Sequence, residues 1–319
     1  MKKKLFIVLI LLLSLLLLSA CNGGKKKTTG TGFIGGTEGI AAELSVESTS
    51  GGNRIFDAGV DPFRILVTLE NRGEHDVIEG NAFVTLSGIS FEAFSIRNPT
   101  QRAEIPLLGL RREGTGVTDP LQTVVLYDAN YKPDAEADRP VDLVANYCYE
   151  YQTISRVADL CLKKRVTGPS PESICNIDDE RIAENSGSPF KVTKVIERPA
   201  GEQKVNVFLV AENVGNGAIY GPDFLPEGEC VSDEEKKNKI HVKVVLSDFE
   251  QQSASAIVCG GLESNEGEIN VINNKVQLSC QIDTSFLTQE TAFLTPLRAT
   301  FSYVYKDSVS TTLTVKSSI

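Results

Sequence analysis

The sequence predicts an all-β protein, two tandem antiparallel β-sandwiches behind an N-terminal signal helix and a flexible linker. The first observation is a period of two. Short Val-, Leu-, Phe-, Tyr- and Thr-rich runs occur at 63–69 (FRILVTL), 82–86 (AFVTL) and 121–127 (LQTVVLY), and again at 205–210, 240–246, 275–280 and 297–305. Gly, Asn and Pro punctuate them and no long 3.6-residue pattern competes, which is the pattern of a sandwich rather than a helical fold. The second is an internal echo. Leu143-x-Ala145-x-Tyr147-x-Tyr149-x-Tyr151 matches Leu297-x-Ala299-x-Phe301-x-Tyr303-x-Tyr305, and Glu70-Asn71-Arg72-Gly73 matches Glu212-Asn213-Val214-Gly215. Each five-residue set falls on one face of a strand. The third is composition: 319 residues, 41% apolar and 23% charged, can bury a core of that size.

The elements follow in order. Lys2, Lys3 and Lys4 precede an apolar run from Leu5 to Leu18, too short for a comfortable membrane span and suited to a secretory signal. The tetrad Leu18-Ser19-Ala20-Cys21 resembles the lipobox of bacterial-type lipoproteins. That resemblance implies cleavage of residues 1–20, a diacylglycerol thioether on Cys21, and a mature chain attached to a membrane on its extracytoplasmic side, at the cell surface or in the periplasm. Two acyl chains suffice as an anchor where one binds only marginally. Lys25, Lys26 and Lys27 sit where anionic headgroups would attract them. Residues 21–38 read as a flexible Gly, Lys and Thr linker. Gly30-x-Gly32-x-x-Gly35 matches a dinucleotide fingerprint as a string only, because no strand precedes it and no helical pattern follows.

The first sandwich is expected over 39–165 and the second over 186–319, joined by a linker at 166–185 that contains Thr167-Gly-Pro-Ser-Pro171. The run from Glu227 to Lys239 reads as a solvated insertion. Tandem sandwiches with an Asn-x-Gly turn after the second strand resemble the immunoglobulin-like modules of cell-surface proteins. They are similar in particular to the CARDB-type adhesion domains of prokaryotic envelopes. The turns themselves need only the tolerance of Asn and Gly for positive φ.

Beyond Cys21, six cysteines remain: Cys148, Cys161, Cys175, Cys230, Cys259 and Cys280. An even number on an exported chain favours three disulfides over a thiolate metal site, and no C-x-x-C occurs. A hairpin centred at Ile154-Ser155 would set Cys148 against Cys161. Cys259 and Cys280 end neighbouring strand candidates, leaving Cys175 with Cys230.

Chemistry has little to work with. There are 2 histidines, His75 and His241, at no chelating spacing, and 0 tryptophans. Neither H-E-x-x-H nor G-x-S-x-G is present, and no enzyme is predicted. The formal charge of −10 argues against a nucleic-acid partner. The best cation candidate is the acidic loop carrying Asp128, Asn130, Asp134, Glu136 and Asp138, which offers oxygen ligands to calcium without the order of an EF-hand; no other cofactor is expected. The tyrosine runs read as core strands whose hydroxyls reach the edge. Together these features predict a lipid-anchored envelope protein acting through contact with another envelope or cell-surface protein. The alternative is a solute- or calcium-binding lipoprotein associated with a transporter.

Overall fold

The computed structural model describes residues 32–167, 174–223, 225, 230 and 234–318. The signal segment, Cys21 and Lys25–Lys27 therefore lie outside the described residues. The first half carries β1 (Ile40–Glu47), β2 (Arg54–Phe56), β3 (Phe63–Asn71), β4 (Ala82–Ser87) and β5 (Thr100–Arg102). A ribbon of β6 (Arg112–Glu113) and β7 (Gly116–Val117) precedes β8 (Gln122–Ala129) and the 24-residue β9 (Arg139–Leu162). Then come β10 (Asp179–Arg181), β11 (Ala183–Asn185), β12 (Phe190–Pro199), β13 (Lys204–Asn213), β14 (Ala218–Tyr220) and β15 (Lys239–Leu246). A short helix, α1 (Glu250–Ala256), leads to β16 (Ile257–Cys259), β17 (Glu266–Asn270), β18 (Lys275–Asp283) and the 24-residue β19 (Phe293–Lys316). The fold is all-β, as the period of two predicts.

Three sheets matter. A nine-stranded sheet runs β17-β15-β19-β9-β4-β5, with β11 on β9 and with β14 and β2 on β19. A three-stranded sheet, β1-β3-β8, and a five-stranded sheet, β10-β12-β13-β18-β16, complete the sandwiches. The large sheet supplies Val84, Leu86, Leu143 and Ala145 to the core in the first half, where Ile65, Val67, Leu69 and Tyr127 meet them from the small sheet. The Tyr127 hydroxyl donates to the Val84 carbonyl at 2.8 Å and so links the two layers. In the second half the same continuous core holds Val242, Val244, Phe301 and Tyr303 together with Val205, Val207, Leu209 and Leu278. Phe190 packs edge-on against Phe301 with centroids 5.3 Å apart. Alternation of buried and exposed residues along β3, β8, β13 and β18 is what allows each to close a core on one face only.

The spine is β9 against β19, antiparallel from Arg139 opposite Val315 to Leu162 opposite Phe293. This pairing carries each half into the other. The first part of β9 pairs with β4, whereas its residues 155–157 pair with β11. Likewise 297–302 of β19 pair with β15, but 314–316 pair with β2. The expected hairpin at Ile154-Ser155 does not form, because Gln152-Thr-Ile-Ser-Arg-Val-Ala158 contains none of the Gly, Asn, Asp or Pro residues that reverse a chain.

The cysteine pairing changes accordingly. The disulfides are Cys148–Cys230, Cys161–Cys175 and Cys259–Cys280. Thirteen residues of strand hold Cys148 and Cys161 roughly 40 Å apart, and their odd spacing puts them on opposite faces, so they cannot meet. Of the three expected pairs, Cys259–Cys280 alone is present, its residues directly opposite in the β16–β18 register. Cys230 belongs to the 227–239 stretch expected as a solvated loop. Cys230 is instead stapled onto the large sheet's outer face, where it joins Phe83, Cys148, Tyr220 and Val304 in a small separate cluster. The 166–185 connection is also more than a linker, since it carries β10, β11 and Cys175. Non-reducing peptide mapping is expected to recover these three pairs, each contributing about 2–4 kcal/mol to stability. A Cys148–Cys161 peptide would contradict the continuous β9.

Candidate functional site

The acidic loop does not assemble a cation site. Asp128 is exposed and pairs with Arg64 at 3.6 Å, while Asp138 pairs with Lys316. Asp134 and Glu136 point to solvent, and Asn130 donates to the Gly59 carbonyl. Among the described residues no group of three or more His, Cys, Asp or Glu side chains could hold a metal. The loop spreads its carboxylates because β8 ends at Ala129 and the chain must travel to β9, so successive acids face different directions.

Both histidines are likewise set apart from one another. His75 lies edge-on to Tyr151, centroids 5.3 Å apart, and burial pushes its imidazole down against the opposing pull of Asp76. His241 is partly exposed on β15, 3.7 Å from Glu266.

The tyrosine runs are core, as expected, and their hydroxyls hold the turns. Tyr147, Tyr149, Tyr151, Tyr303 and Tyr305 are all buried. Tyr149 stands opposite Tyr305, and Tyr151 opposite Tyr303, in the β9–β19 register. In the first half Asn71 Oδ1 accepts from the Gly73 amide and the Tyr151 hydroxyl. In the second, Asn213 Oδ1 accepts from the Gly215 amide and the Tyr305 hydroxyl. The glycines serve here by lacking a side chain and not, as expected, by positive φ: neither has it, and a Cβ at Gly73 or Gly215 would collide with the tyrosine oxygen.

Sequence reasoning also missed a clamp on the leader. Glu74 accepts hydrogen bonds from the amides of Ile34 and Gly35, both at 2.9 Å, and from that of Gly187. Arg112 donates to the carbonyls of Gly32 and Phe33. Residues 32–38, expected as the end of a free linker, are therefore fastened to both halves. The glycine string does turn amides toward an anion, and that anion is the protein's own Glu74 carboxylate.

Next to this clamp the two halves enclose a polar cleft of about 450 Å³. Glu38 to Glu43 form one wall, Thr68, Glu70, Arg72 and Gln122 continue it, Pro189, Gly215 and Asn216 stand opposite, and Tyr147, Tyr149 and Tyr305 make the floor beside Asp307. Arg72 reaches Glu70 at 2.7 Å and Glu38 at 3.5 Å, and Gln122 donates to Glu70 at 2.6 Å. The Arg72 guanidinium holds the Glu70 carboxyl below the usual carboxylate range. Burial, reinforced by Asp307, pushes the Tyr147 phenol up, and burial pushes Tyr305 to about 12. The floor is thus neutral and hydrogen-bonding at physiological pH, under a rim with more negative than positive charge. No signal in the sequence marks this cleft, because its walls come from segments up to 270 residues apart.

The fold and this cleft define an all-β sandwich protein with three cystines and a polar seam. No known protein family matches the chain, and no curated protein does. Among solved structures it is similar, over 88% of its length, to the C-terminal globular domain of an oligosaccharyltransferase from Pyrococcus abyssi, at 8% identity and a TM-score of 0.21. The chain spans about 50% of that structure. Over 84% of its length it is similar to the major capsid protein P2 of bacteriophage PM2, covering 98% of that chain at 8% identity and a TM-score of 0.10. Likeness at this level carries no argument about function. Three cystines belong to a chain that folds in an oxidising, non-cytoplasmic compartment. Among the described residues no helix is long and apolar enough to cross a membrane.

Proposed function

We propose that this protein is a lipid-anchored, extracytoplasmic binding module that engages another envelope or cell-surface protein through the cleft at its seam. The observation that carries the reading is the cleft itself: a polar recess built by both halves, with its floor locked by the tyrosine hydroxyls. A rigid floor under a hydrated, charged rim suits recognition, since little ordering is lost on binding. The lipobox resemblance implies a lipid on Cys21, eleven residues before Gly32 in the sequence.

Gene duplication is part of the same reading. If the two tyrosine runs are equivalent, the pairs Tyr149–Tyr305 and Tyr151–Tyr303 exchange under that equivalence, as a local two-fold axis requires. The matching Asn71–Tyr151 and Asn213–Tyr305 turns support it.

A second reading, binding of a small polar solute, is favoured by the cleft's volume, which falls in the range of small-molecule sites. Two experiments test the proposal. Metabolic labelling with a clickable palmitate is expected to tag the chain, and Cys21→Ser to abolish the tag and release the protein into the soluble fraction. A photo-crosslinker at Asn216 in intact envelopes is expected to capture a protein. Capture of none, with a small molecule retained on purification, would shift the assignment to the solute reading.

A further inference from the structure

We propose that the free edge of β1 is a docking strand, and that its occupant is an extended, lysine- or arginine-bearing segment of a partner protein that adds to the β1-β3-β8 sheet alongside the seam cleft. This rests on the reading of the cleft as a binding site and specifies how it would be filled.

The main-chain geometry comes first. Gly39 accepts a hydrogen bond from the Arg72 amide, and Asn71 turns its own amide the other way, to the Leu121 carbonyl on the β8 side. The alternation of an antiparallel ladder then directs the main-chain groups of Ala41, Glu43 and Ser45 toward β3 and those of Ala42, Leu44 and Val46 away from it. The Ile40 amide, also directed away, is met by the Tyr149 hydroxyl. Among the described residues β3 is the one strand beside β1, and no second strand meets the outward main-chain groups of Ala42, Leu44 and Val46.

The outer sides of β12, β18 and β8 are each met by another part of the chain. β1 stands to β3 as β12 stands to β13: Ile40 lies opposite Asn71, and Phe190 opposite Asn213. Yet β12 has its outer edge covered by β10, with Asp179, Glu180 and Arg181 opposite Glu197, Ile196 and Val195. The edge of β18 is covered by β16. On β8 the Gln101 side chain donates to the Leu126 carbonyl, and just beyond the strand the Asn130 and Lys132 amides reach the carbonyls of Phe94 and Ala93. The first half contains no counterpart of β10 among the described residues.

Of the devices that blunt an exposed edge, β1 carries only the charges of Glu43 and Glu47. It is 8 residues long, has no proline or lysine, and keeps an unbroken register with β3, whereas the β12–β13 pair has an irregularity at Val192/Lys194. An open, regular edge beside a cleft is the geometry of peptide recognition by strand addition. The charge selects the occupant. Glu38, Glu43, Glu70 and Asp307 line the cleft against the single cation Arg72, which is already held by Glu70 and Glu38. Glu47 extends the acidic row along the strand. In an added strand, side chains alternate between the two faces, so a basic residue at every second position would lie along the acidic face.

The test uses the full chain in detergent and an eight-residue peptide alternating lysine and valine. Its glutamate–valine counterpart and a version N-methylated at alternate residues serve as controls. Binding by fluorescence anisotropy is expected for the lysine peptide alone, weakening with salt, and hydrogen exchange at Ala42 and Leu44 is expected to slow at least tenfold. Ala42→Pro removes an outward amide without touching the β3 ladder. It is expected to lower affinity at least tenfold with an unchanged melting temperature, and Glu43→Lys to do the same by charge. Equal binding of the N-methylated peptide, an unaffected A42P variant, or exchange protection at β8 instead would overturn the proposal. So would a variant lacking residues 22–31 that binds tenfold tighter, since it would assign the edge to this chain's own lysines. If the edge fails these tests while the Asn216 crosslinker still captures a protein, the binding module stands and strand addition alone falls.

Discussion

Residues 39–165 and residues 166–319, produced separately, will each fail to show a cooperative unfolding transition, and mixing them will restore one. The reason is the exchange along the spine. Thr153, Ser155, Val157, Leu160, Cys161 and Leu162 belong to the first segment, yet they are almost wholly buried. Thr153 bonds to Ser188 and Tyr303, and the Cys161 amide bonds to Glu197. Conversely Leu313 and Val315, at 0% exposure, end the second segment, where Val315 pairs with Ile55. The Asp57 amide donates to the Lys316 carbonyl, and the Asp57 carboxylate accepts from the Ser318 amide, fixing that end in the first half. Exposing Val157, Leu160, Leu162, Leu313 and Val315 forfeits about 1.5–3 kcal/mol each. The total is about 8–15 kcal/mol, as large as the whole stability of an ordinary domain. Circular dichroism and calorimetry on the separate segments decide the matter. A monomeric 39–165 segment with a sharp native-like melt would show that β9 and β19 are dispensable to each other.

That result bears on how much of this molecule can be read from its residues. The runs at 63–69, 82–86, 205–210, 240–246 and 275–280 all fall within strands, because a half-buried strand writes its period of two locally. The same local character misleads at 139–162. Alternation there continues through Ile154, but whether a chain turns back or runs on depends on the partner waiting beyond, and β11 and β19 lie 30 and 150 residues away in sequence. The cysteine pairs were obscured by the same fact, since the face on which Cys148 sits follows from the sheet and its partner comes from a distant insertion. The three-residue strands β2, β10, β11 and β14 have no pattern long enough to notice. Glu74 and the seam cleft are products of the fold alone; an acid beside His75 in a turn looks like any hydrated turn until Ile34, Gly35 and Gly187 arrive to donate to it.

Replacing Arg181 by methionine will cost about 3–5 kcal/mol near pH 8 and markedly less near pH 5. Glu197, at 0% exposure, lies under the Cys161–Cys175 bridge, with both oxygens accepting from the Cys161 amide. Arg181 donates to it through Nε at 2.8 Å and Nη2 at 2.7 Å. Burial nevertheless dominates these bonds and pushes the Glu197 carboxyl up from its ordinary value near 4.5 to about 7, with Asp159 adding to the rise. A carboxyl whose folded value lies above its unfolded one favours folding most below the unfolded value, and that advantage is lost as pH rises through the folded value. The native protein should therefore lose stability between about pH 4.5 and pH 7 at this site, by up to about 3 kcal/mol, and level off above. Removing Arg181 strands a charge that has no other cation among the described residues, which is the costly way to break a buried pair. At pH 5 the lone carboxyl takes up a proton, and the penalty shrinks to that of a neutral hydrogen-bonded acid. Glu197→Gln should flatten the pH dependence while remaining less stable than the parent, since the buried Arg181 then keeps only the exposed Asp179, at 3.8 Å, as its counter-charge. Urea unfolding of the three proteins across pH 4.5–8.5 measures all of this. Equal losses for R181M at both ends of that range would mean that Glu197 stays ionised throughout, and that the pair is held by its hydrogen bonds more strongly than burial opposes it.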